Sequence, residues 1–503
     1  MQHLHFQFGA ESAPWNDRLA LYRQRLLKSP LGKELGSRLG SGVDLALPTV
    51  LVVEPDPLDF LAATIVAIEV QAPVILGNPQ WSLAEWQALR ELQLLDPSQG
   101  AQLWGVEPPV PFPAVSKGSR LPAGAILMAT GGSGGGLRFA HHTWNTLRAA
   151  VEGLQRSNLL PDQPLSSCCL LPLYHVSGFM QFMRSFLTQG ELILSSSREI
   201  LAAFRALDPA LDLNRDELSE LRAEREVATF LQNWTGGNYY LSLVPTQLHR
   251  FLAELPPEGV DWLRRFALIF VGGAALRDDL RDQARSLRLP LAPTYGMTET
   301  AGMVATLAPQ GFLEGNTSVG RLLPHCQVQF LPTQSDLIEP PPLAPDRLPP
   351  LKPEGRITIQ SASLALGYYP PDRSLEQGRL LTNDRGWIGA DHYLYIAGRL
   401  DRVIITGGEN VNPEQVEVLL LQTGLLKDVA VIGRPHPEWG EQVVALCVGV
   451  ADWPQLKTIA QQRLSPPQRP KIWMELEALP RNDRGKLLLS ELWNSAQESE
   501  VSP

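Results

Sequence analysis

The chain has 503 residues, of which 44% are hydrophobic and 19% charged. That composition excludes a disordered chain and supplies a large core, enough for roughly three domain-sized units or one large domain and a small one. The 43 basic and 53 acidic residues leave a net charge of −10, which argues against a dedicated nucleic-acid or anionic-membrane surface while allowing a local basic pocket.

The N-terminus has no basic stretch followed by an apolar one, so no secretory signal is expected. The longest apolar run, Phe60 to Leu76, is interrupted by Glu69, Gln71 and Pro73. It is shorter than a membrane span and reads as a buried helix followed by a strand. Thr49–Glu54 and Pro73–Gly77 are strand-like runs flanking a helical Asp56–Val70. This βαβ rhythm implies a parallel sheet covered by helices. The rhythm returns at Ala125–Ala129 before a helix over 143–155, at Tyr239–Val244 before 246–254, and at Ala267–Val271 before 276–287. Cys168, Cys169, Cys326 and Cys447 contain no CxxC pair and read as reduced, packed thiols of a cytoplasmic protein. The charged 205–226 stretch predicts a surface helix. The proline-rich 340–353 segment predicts a surface excursion between strands at Gln327–Leu331 and Arg356–Gln360. In the last hundred residues, a helix Asn412–Leu421 opens on Asn412 as N-cap with Pro413 first. Strands follow at Val429–Ile432, Val443–Val450 and Ile472–Leu476, a compact α+β unit. The expected fold is α/β: stacked α/β subdomains and a β-rich subdomain within 1–400, then a small mobile α+β domain over 401–503.

Four motifs carry chemistry. Thr130, Gly131, Gly132, Ser133, Gly134, Gly135, Gly136, Leu137 and Arg138 follow the AILMA strand. Consecutive glycine N–H groups form a nest for phosphate oxygens, and Arg138 adds a fork of donors. No Gly-Lys-Ser/Thr follows, so this is not a Walker A loop. In Tyr295-Gly296-Met297-Thr298-Glu299, Tyr295 offers a face for a nucleobase and Gly296 a close backbone approach. Thr298 offers a hydroxyl to phosphate, and Glu299 a hard oxygen for Mg²⁺. Asp384 is suited to hold two ribose hydroxyls, and Arg399, in Gly398-Arg399-Leu400-Asp401, can reach ribose or α-phosphate. Lys486, in a basic loop near the end, is a mobile cation able to neutralise a transferring phosphoryl group. Taken singly, the last three also read as a polar loop, surface turns and a solvated lysine.

In this order, and over residues 40–490, these pieces resemble the adenylate-forming acyl-activating superfamily of acyl-CoA synthetases, luciferases and adenylation domains. Leu171-Pro172-Leu173-Tyr174-His175-Val176-Ser177-Gly178, Ser242–Leu248, Val271-Gly272-Gly273-Ala274-Ala275 and Thr406-Gly407-Gly408-Glu409-Asn410 are similar to segments of its o-succinylbenzoate–CoA ligases, which act in menaquinone and phylloquinone synthesis. The resemblance implies Mg²⁺-dependent use of ATP to make an acyl-adenylate, then transfer to coenzyme A. It assigns the 130–138 loop, Gly272, Gly273, Ala274 and residues 295–298 to the nucleotide and Glu299 to the metal. It places Asp384 and Arg399 at the ribose, and Lys486 between carboxylate and α-phosphate. Asp401 becomes a hinge, with Gly407 and Gly408 lining a thiol channel. The acid would meet His175, Ser177 and Gly178. Arg184 is the candidate for a second carboxylate, with a surface arginine as its alternative. Leu137-Arg138 stands where the family carries Pro-Lys, and Gly131 and Gly134 replace hydroxyl residues, so altered nucleotide affinity is expected. Another aryl- or acyl-CoA ligase, or a non-catalytic nucleotide-binding relative, remains open, as does the oligomeric state.

Overall fold

Every residue of β1 (Val50–Val53) is buried. Val50 and Val52 face the helix Pro57–Glu69, while Leu51 and Val53 face Trp81, Trp86 and Leu89. A strand apolar on both faces needs a layer of helices on each side, which is why the continuous run reads as a parallel sheet. The computed structural model describes residues 15–28, 47–95, 101–109, 111–112, 121–130, 137–157, 159, 164–206, 231, 234–332, 354–376, 378–406, 409–436, 439–481, 487–488 and 491–492.

In the first sheet, β2 (Val74–Leu76) and β3 (Gln102–Gly105) flank β1 in parallel, and β4 (Ile126–Thr130) lies parallel to β2. One strand departs from the sequence reading. Between β4 and the helix Trp144–Gln155 runs β5 (Arg138–His142), antiparallel to β4, with Thr130 opposite Arg138. The glycine-rich stretch therefore joins two paired strands, not a strand and a helix. RFAHH has no apolar run to announce a strand, and its pairing comes from β4. Residues 131–136 themselves lie outside the described residues.

The second sheet contains β6 (Ser166–Cys169), β7 (Leu192–Leu194), β8 (Tyr239–Leu243), β9 (Leu268–Val271) and β10 (Leu291–Met297), all parallel. β11 (Gly302–Thr306) and β12 (Arg321–Leu322) extend it antiparallel. The helices Pro57–Glu69, Trp144–Gln155 and Val176–Thr188 share one core with residues of the first sheet, Cys169 and Ala301. That core joins the two sheets. Asp56 caps the first of these helices by accepting from the N–H groups of Leu58 and Asp59, and Thr143 and Thr146 form a capping box on the second.

A third, antiparallel sheet begins with β13 (Cys326–Leu331) and β14 (Gly355–Ser361), with Leu331 opposite Arg356. The proline-rich excursion expected between them falls in 333–353, outside the described residues. β15 (Tyr368–Tyr369) leaves this region to pair with β5, Tyr368 opposite Ala140. β16 (Leu375–Glu376), β17 (Arg379–Ile388) and β18 (Leu394–Arg399) complete the third sheet. A 3₁₀ turn, Leu400–Arg402, leads to a fourth sheet of β19 (Ile404–Thr406), β20 (Glu409–Val411), β21 (Asp428–His436), β22 (Gly440–Val448) and β23 (Ile472–Leu476). Asn412 caps the helix Pro413–Leu421 as expected, and this helix and Trp453–Arg463 cover one face of the fourth sheet. The four cysteines are free and buried. The surface helix expected over 205–226 lies almost wholly outside the described residues. No described helix is long and apolar enough to cross a membrane.

Leu61 is fully buried in the core between the two large sheets. Leu61→Ala is expected to cost about 2–5 kcal/mol, because the rigid layers on both sides collapse only partly onto the cavity. A lower urea midpoint at unchanged slope is the measurement that checks it.

Candidate active site

Three strands bring a carboxylate and its partners together. β17 and β18 pair with Asp384 opposite Arg399, and β10 delivers Tyr295 from the second sheet. Asp384 is only 6% exposed, so its charge needs compensation. The Tyr295 hydroxyl donates to Asp384 Oδ2 at 2.6 Å and Arg399 Nη1 to Oδ1 at 3.1 Å. Arg399 also grips Asp401 with Nε at 2.8 Å and Nη2 at 2.6 Å, and Asn383 Nδ2 donates to Asp401 at 3.3 Å. Burial works against the Arg399 charge, but Asp401 and Asp384 outweigh it and hold the guanidinium protonated beyond its ordinary range. Burial, then the neighbouring Asp384 charge, raises the Tyr295 phenol well above its ordinary value, so it stays a donor. The Tyr295 ring packs against the third-sheet core. Gly296 is required by its own strand pair: a Cβ there would meet the Gly302 carbonyl at 1.9 Å.

β10 ends in the 3₁₀ turn Thr298–Thr300, reversed by Ala301 in the left-handed region at φ 52°. The Thr300 hydroxyl accepts from Met297 N–H at 3.1 Å. From β5, His142 Nε2 lies 2.8 Å from the Thr298 carbonyl, and Nδ1 lies 3.0 Å from Thr146 Oγ1. A carbonyl only accepts, so Nε2 carries the proton. Glu299 takes the Tyr368 hydroxyl at 2.8 Å, and its carbonyl accepts from Ala365 N–H at 2.8 Å. Arg138 lies over the Tyr368 ring at 4.1 Å and donates to Asp372 at 2.8 Å. Gly272 and Gly273 leave β9 beside β10; a Cβ on Gly272 would meet Thr294 Oγ1 at 2.2 Å, and Gly273 has φ +85°. Ala274 follows, exposed.

On the other side of this turn, Ala301 shares a core with Met180 of the helix Val176–Thr188. His175, buried at its N-cap, stands with its ring centroid 4.5 Å from that of Tyr174. Ser177 gives its carbonyl to Gln181 Nε2 at 3.0 Å. Gly178 admits the Pro172 carbonyl, which a Cβ would meet at 2.2 Å. Arg184 is 8% exposed and its Nη1 has no hydrogen-bond partner among the described residues. The surface alternative for Arg184 is thereby excluded. Its guanidinium lies 5.3 Å from the Phe270 ring centroid, and burial lowers its pKa to about 10, with Cys169 opposing. A buried cation without a carboxylate partner among the described residues is fit to receive an anion.

At the end of β18, Gly398 has φ +132°, and a Cβ there would meet Glu414 Oε2 at 2.0 Å. Arg402 then fastens the 3₁₀ turn to Glu414 at 3.3 Å, and it also pairs with Glu417. Gly131–Gly135, Ser133 among them, Gly407, Gly408 and Lys486 lie outside the described residues. Among the described residues no cluster of three or more His, Cys, Asp or Glu side chains could hold a metal. A single carboxylate such as Glu299 suits Mg²⁺, whose remaining ligands are commonly phosphates and water. Sequence reasoning missed Tyr368, His142 and Asp372, whose roles arise only through strand pairing and packing.

Residues 238–369 match the family model described as AMP-binding enzyme, and 415–486 match AMP-binding enzyme C-terminal domain. The chain is 26% identical over 371 residues to the 2-succinylbenzoate–CoA ligase of Lactococcus lactis subsp. lactis, covering 73% of this chain and 70% of that one. It is 27% identical over 384 residues to the enzyme of the same name from a Geobacillus species, covering 73% and 68%. In fold it is similar to o-succinylbenzoate CoA synthetase from Bacillus subtilis in complex with the acyl-adenylate intermediate, with a TM-score of 0.68, 20% identity and coverage of 97% and 94%. It is also similar to ATP-bound MatB from Rhodopseudomonas palustris, with a TM-score of 0.71, 20% identity and coverage of 99% and 96%.

Burial, partly offset by the Thr298 carbonyl, pushes the His142 pKa down from 6.5 to about 4. Below pH 6.5 the unfolded chain takes up a proton that the folded chain refuses, so folding stability falls between about pH 6.5 and 4 and levels off below. This one group contributes about 3 kcal/mol over that window. His325, lowered to about 4 by burial and then by Arg156, and His141, lowered by burial, act in the same sense. Thermal unfolding followed from pH 7 to 4 is expected to show a shallower fall in midpoint for His142→Gln than for the wild type.

Proposed function

We propose that this chain is an adenylate-forming AMP-binding enzyme, an AMP-forming ligase that joins o-succinylbenzoate to coenzyme A through an acyl-adenylate. The observation that carries the reaction class is the convergence of Tyr295, Asp384 and Arg399 with the Thr298–Glu299 turn, at the meeting of three sheets. The acid is supported by the shared name of the curated relatives and by the acyl-adenylate held in the Bacillus subtilis enzyme. The buried cation Arg184 adds to it. The supply of reduced thiols agrees with a cytoplasmic location, which is part of the proposal.

In the first half-reaction a carboxylate oxygen attacks the α-phosphorus of ATP. A new P–O bond forms, the bond to pyrophosphate breaks, and the electron pair leaves on pyrophosphate. The protein positions and neutralises more than it reacts. Asp384 accepts ribose hydroxyls, with Arg399 holding the carboxylate in place. Thr298 donates to the α-phosphate, its backbone braced by His142. The 130–138 loop takes the β- and γ-phosphates. Glu299 holds Mg²⁺, which supplies positive charge against the phosphate oxygens when bound. Lys486 neutralises the α-phosphate and the entering carboxylate. Arg481 and Leu487, which frame the lysine stretch, pair as a β-bridge. Arg481 also donates to Asp428 at 2.8 Å, which in turn lies 3.9 Å from Arg277, just beyond the 272–274 segment. Arg481, at the edge of the lysine stretch, is thus linked through Asp428 to Arg277.

In the second half-reaction the coenzyme A thiolate attacks the acyl carbon, a C–S bond forms and AMP leaves. The part beyond Asp401 turns about that residue, withdraws Lys486 and brings Gly407–Gly408 to line the thiol channel. The division at residues 400 and 401 belongs to this proposal. Gly398 supports it, because the crowding by Glu414 and the positive φ mark a backbone position built for an unusual bend.

Pyrophosphate release with Mg·ATP and o-succinylbenzoate, with and without coenzyme A, beside benzoate and medium-chain fatty acids, tests the reading. Selective turnover of o-succinylbenzoate to its thioester is expected; turnover of another acid alone would move the chain to a different branch of the superfamily. Arg184→Met keeps the buried stem and removes the charge. It is expected to lower kcat/KM for o-succinylbenzoate by about 10- to 100-fold, the worth of a hydrogen-bonded charge, while leaving that for benzoate within about twofold. Equal losses on both acids would remove Arg184 from the acid site.

A further inference from the structure

Tyr368 stands where two of the functional elements touch. β15 pairs with β5 so that Tyr368 lies opposite Ala140, two residues from Arg138. Its side chain is 5% exposed. The hydroxyl donates to Glu299 at 2.8 Å, and the Arg138 guanidinium lies 4.1 Å from its ring centroid. The same arginine is tethered by Asp372 at 2.8 Å, and its Nε is buried without a hydrogen-bond partner among the described residues. Asp372, Arg138, Tyr368 and Glu299 thus form one continuous row, with a cation at the mouth of the glycine-rich loop and a carboxylate on the turn after β10.

We propose that Tyr368 is a positioning residue with two separable duties: its hydroxyl aims Glu299 at the metal, and its ring holds Arg138 at the phosphate loop. The inference rests on the reading of this site as one for Mg²⁺ and nucleotide. Glu299 has two oxygens. One accepts the hydrogen bond of the Tyr368 hydroxyl, which fixes the plane of the carboxylate, and the other has no side-chain partner among the described residues and can meet a hard cation. Outer partners of this kind tune metal affinity because they orient the ligand that touches the ion. The ring's contribution is different. A guanidinium 4.1 Å from the ring centroid is attracted to the aromatic face and restricted by it. The ring and Asp372 together fix where the Arg138 guanidinium lies. A lysine, with a compact ammonium on a flexible stem, would not be oriented by the same surface.

The test uses the whole chain and two binding measurements. One is the affinity of Mn²⁺ for the ATP-saturated protein, followed by electron paramagnetic resonance. The other is the affinity of ATP in EDTA, followed by calorimetry. Tyr368→Phe deletes only the hydroxyl. It is expected to weaken Mn²⁺ binding by about tenfold or more and to leave metal-free ATP binding within about twofold. Tyr368→Leu deletes the ring as well and is expected to weaken metal-free ATP binding by about three- to tenfold in addition. Arg138→Met should reproduce that second loss without the first. Far-ultraviolet circular dichroism and the melting temperature guard against misfolding, and Tyr368→Phe, which keeps the packed ring, is the decisive variant. Unchanged Mn²⁺ affinity in Tyr368→Phe, with a wild type that binds both ligands, would overturn the inference alone. A wild type that binds ATP with no dependence on metal would overturn the reading beneath it as well.

Discussion

A carboxylate withdrawn from water must be paired, and the arrangement around Asp384 follows from that requirement. Tyr295 reaches it from the second sheet and Arg399 from the adjacent strand of the third. Neither contact forms unless the two sheets meet at one angle and β17 and β18 pair in one register. Arg399 then carries the same constraint onward to Asp401, and Arg402 fastens the next turn to Glu414 and Glu417. The fourth sheet is thereby tied to the site by charge.

The turn that carries Thr298 and Glu299 is organised by a different interaction, the reversal of chain after β10. Ala301 in the left-handed region and the Thr300 hydroxyl shape the turn. His142 and Tyr368 then hold it from the first sheet, one on a carbonyl and one on a carboxylate. Both are strand residues with little freedom, so Thr298 and Glu299 are presented by rigid neighbours. On the helix Val176–Thr188 the corresponding feature is Arg184. It lies under helix and sheet with its charge facing an aromatic ring and no carboxylate among the described residues, a costly state for the free protein and a favourable one once an anion arrives.

The elements with regular apolar runs were legible from residue order. Val50–Val53, Pro57–Glu69, Val74–Leu76 and the helix capped by Asn412 lie within a residue or two of their expected bounds, because burial of a continuous apolar face is a local signal. Strand β5 was not legible, since Arg138, His141 and His142 give it no apolar period and its register is imposed by β4. Its absence from the sequence reading had a consequence: the glycine-rich stretch looked like a strand-to-helix loop and is bracketed by a hairpin.

Residue order alone determined which side chains are chemically able to act: a threonine and a glutamate side by side, an aspartate, an arginine before a bend, a lysine in a basic loop. Their types and spacing are properties of the chain itself. Only the tertiary structure decided how they are held. Tyr368 lies 69 residues from Glu299, and His142 lies 156 residues from Thr298. No periodicity connects positions so far apart, because their contact depends on β15 crossing to the first sheet and on the two sheets sharing one helical layer. Whether Arg184 was a surface cation or a buried one was likewise a matter of packing, since an arginine on an amphipathic helix fits either face until its neighbours are in place.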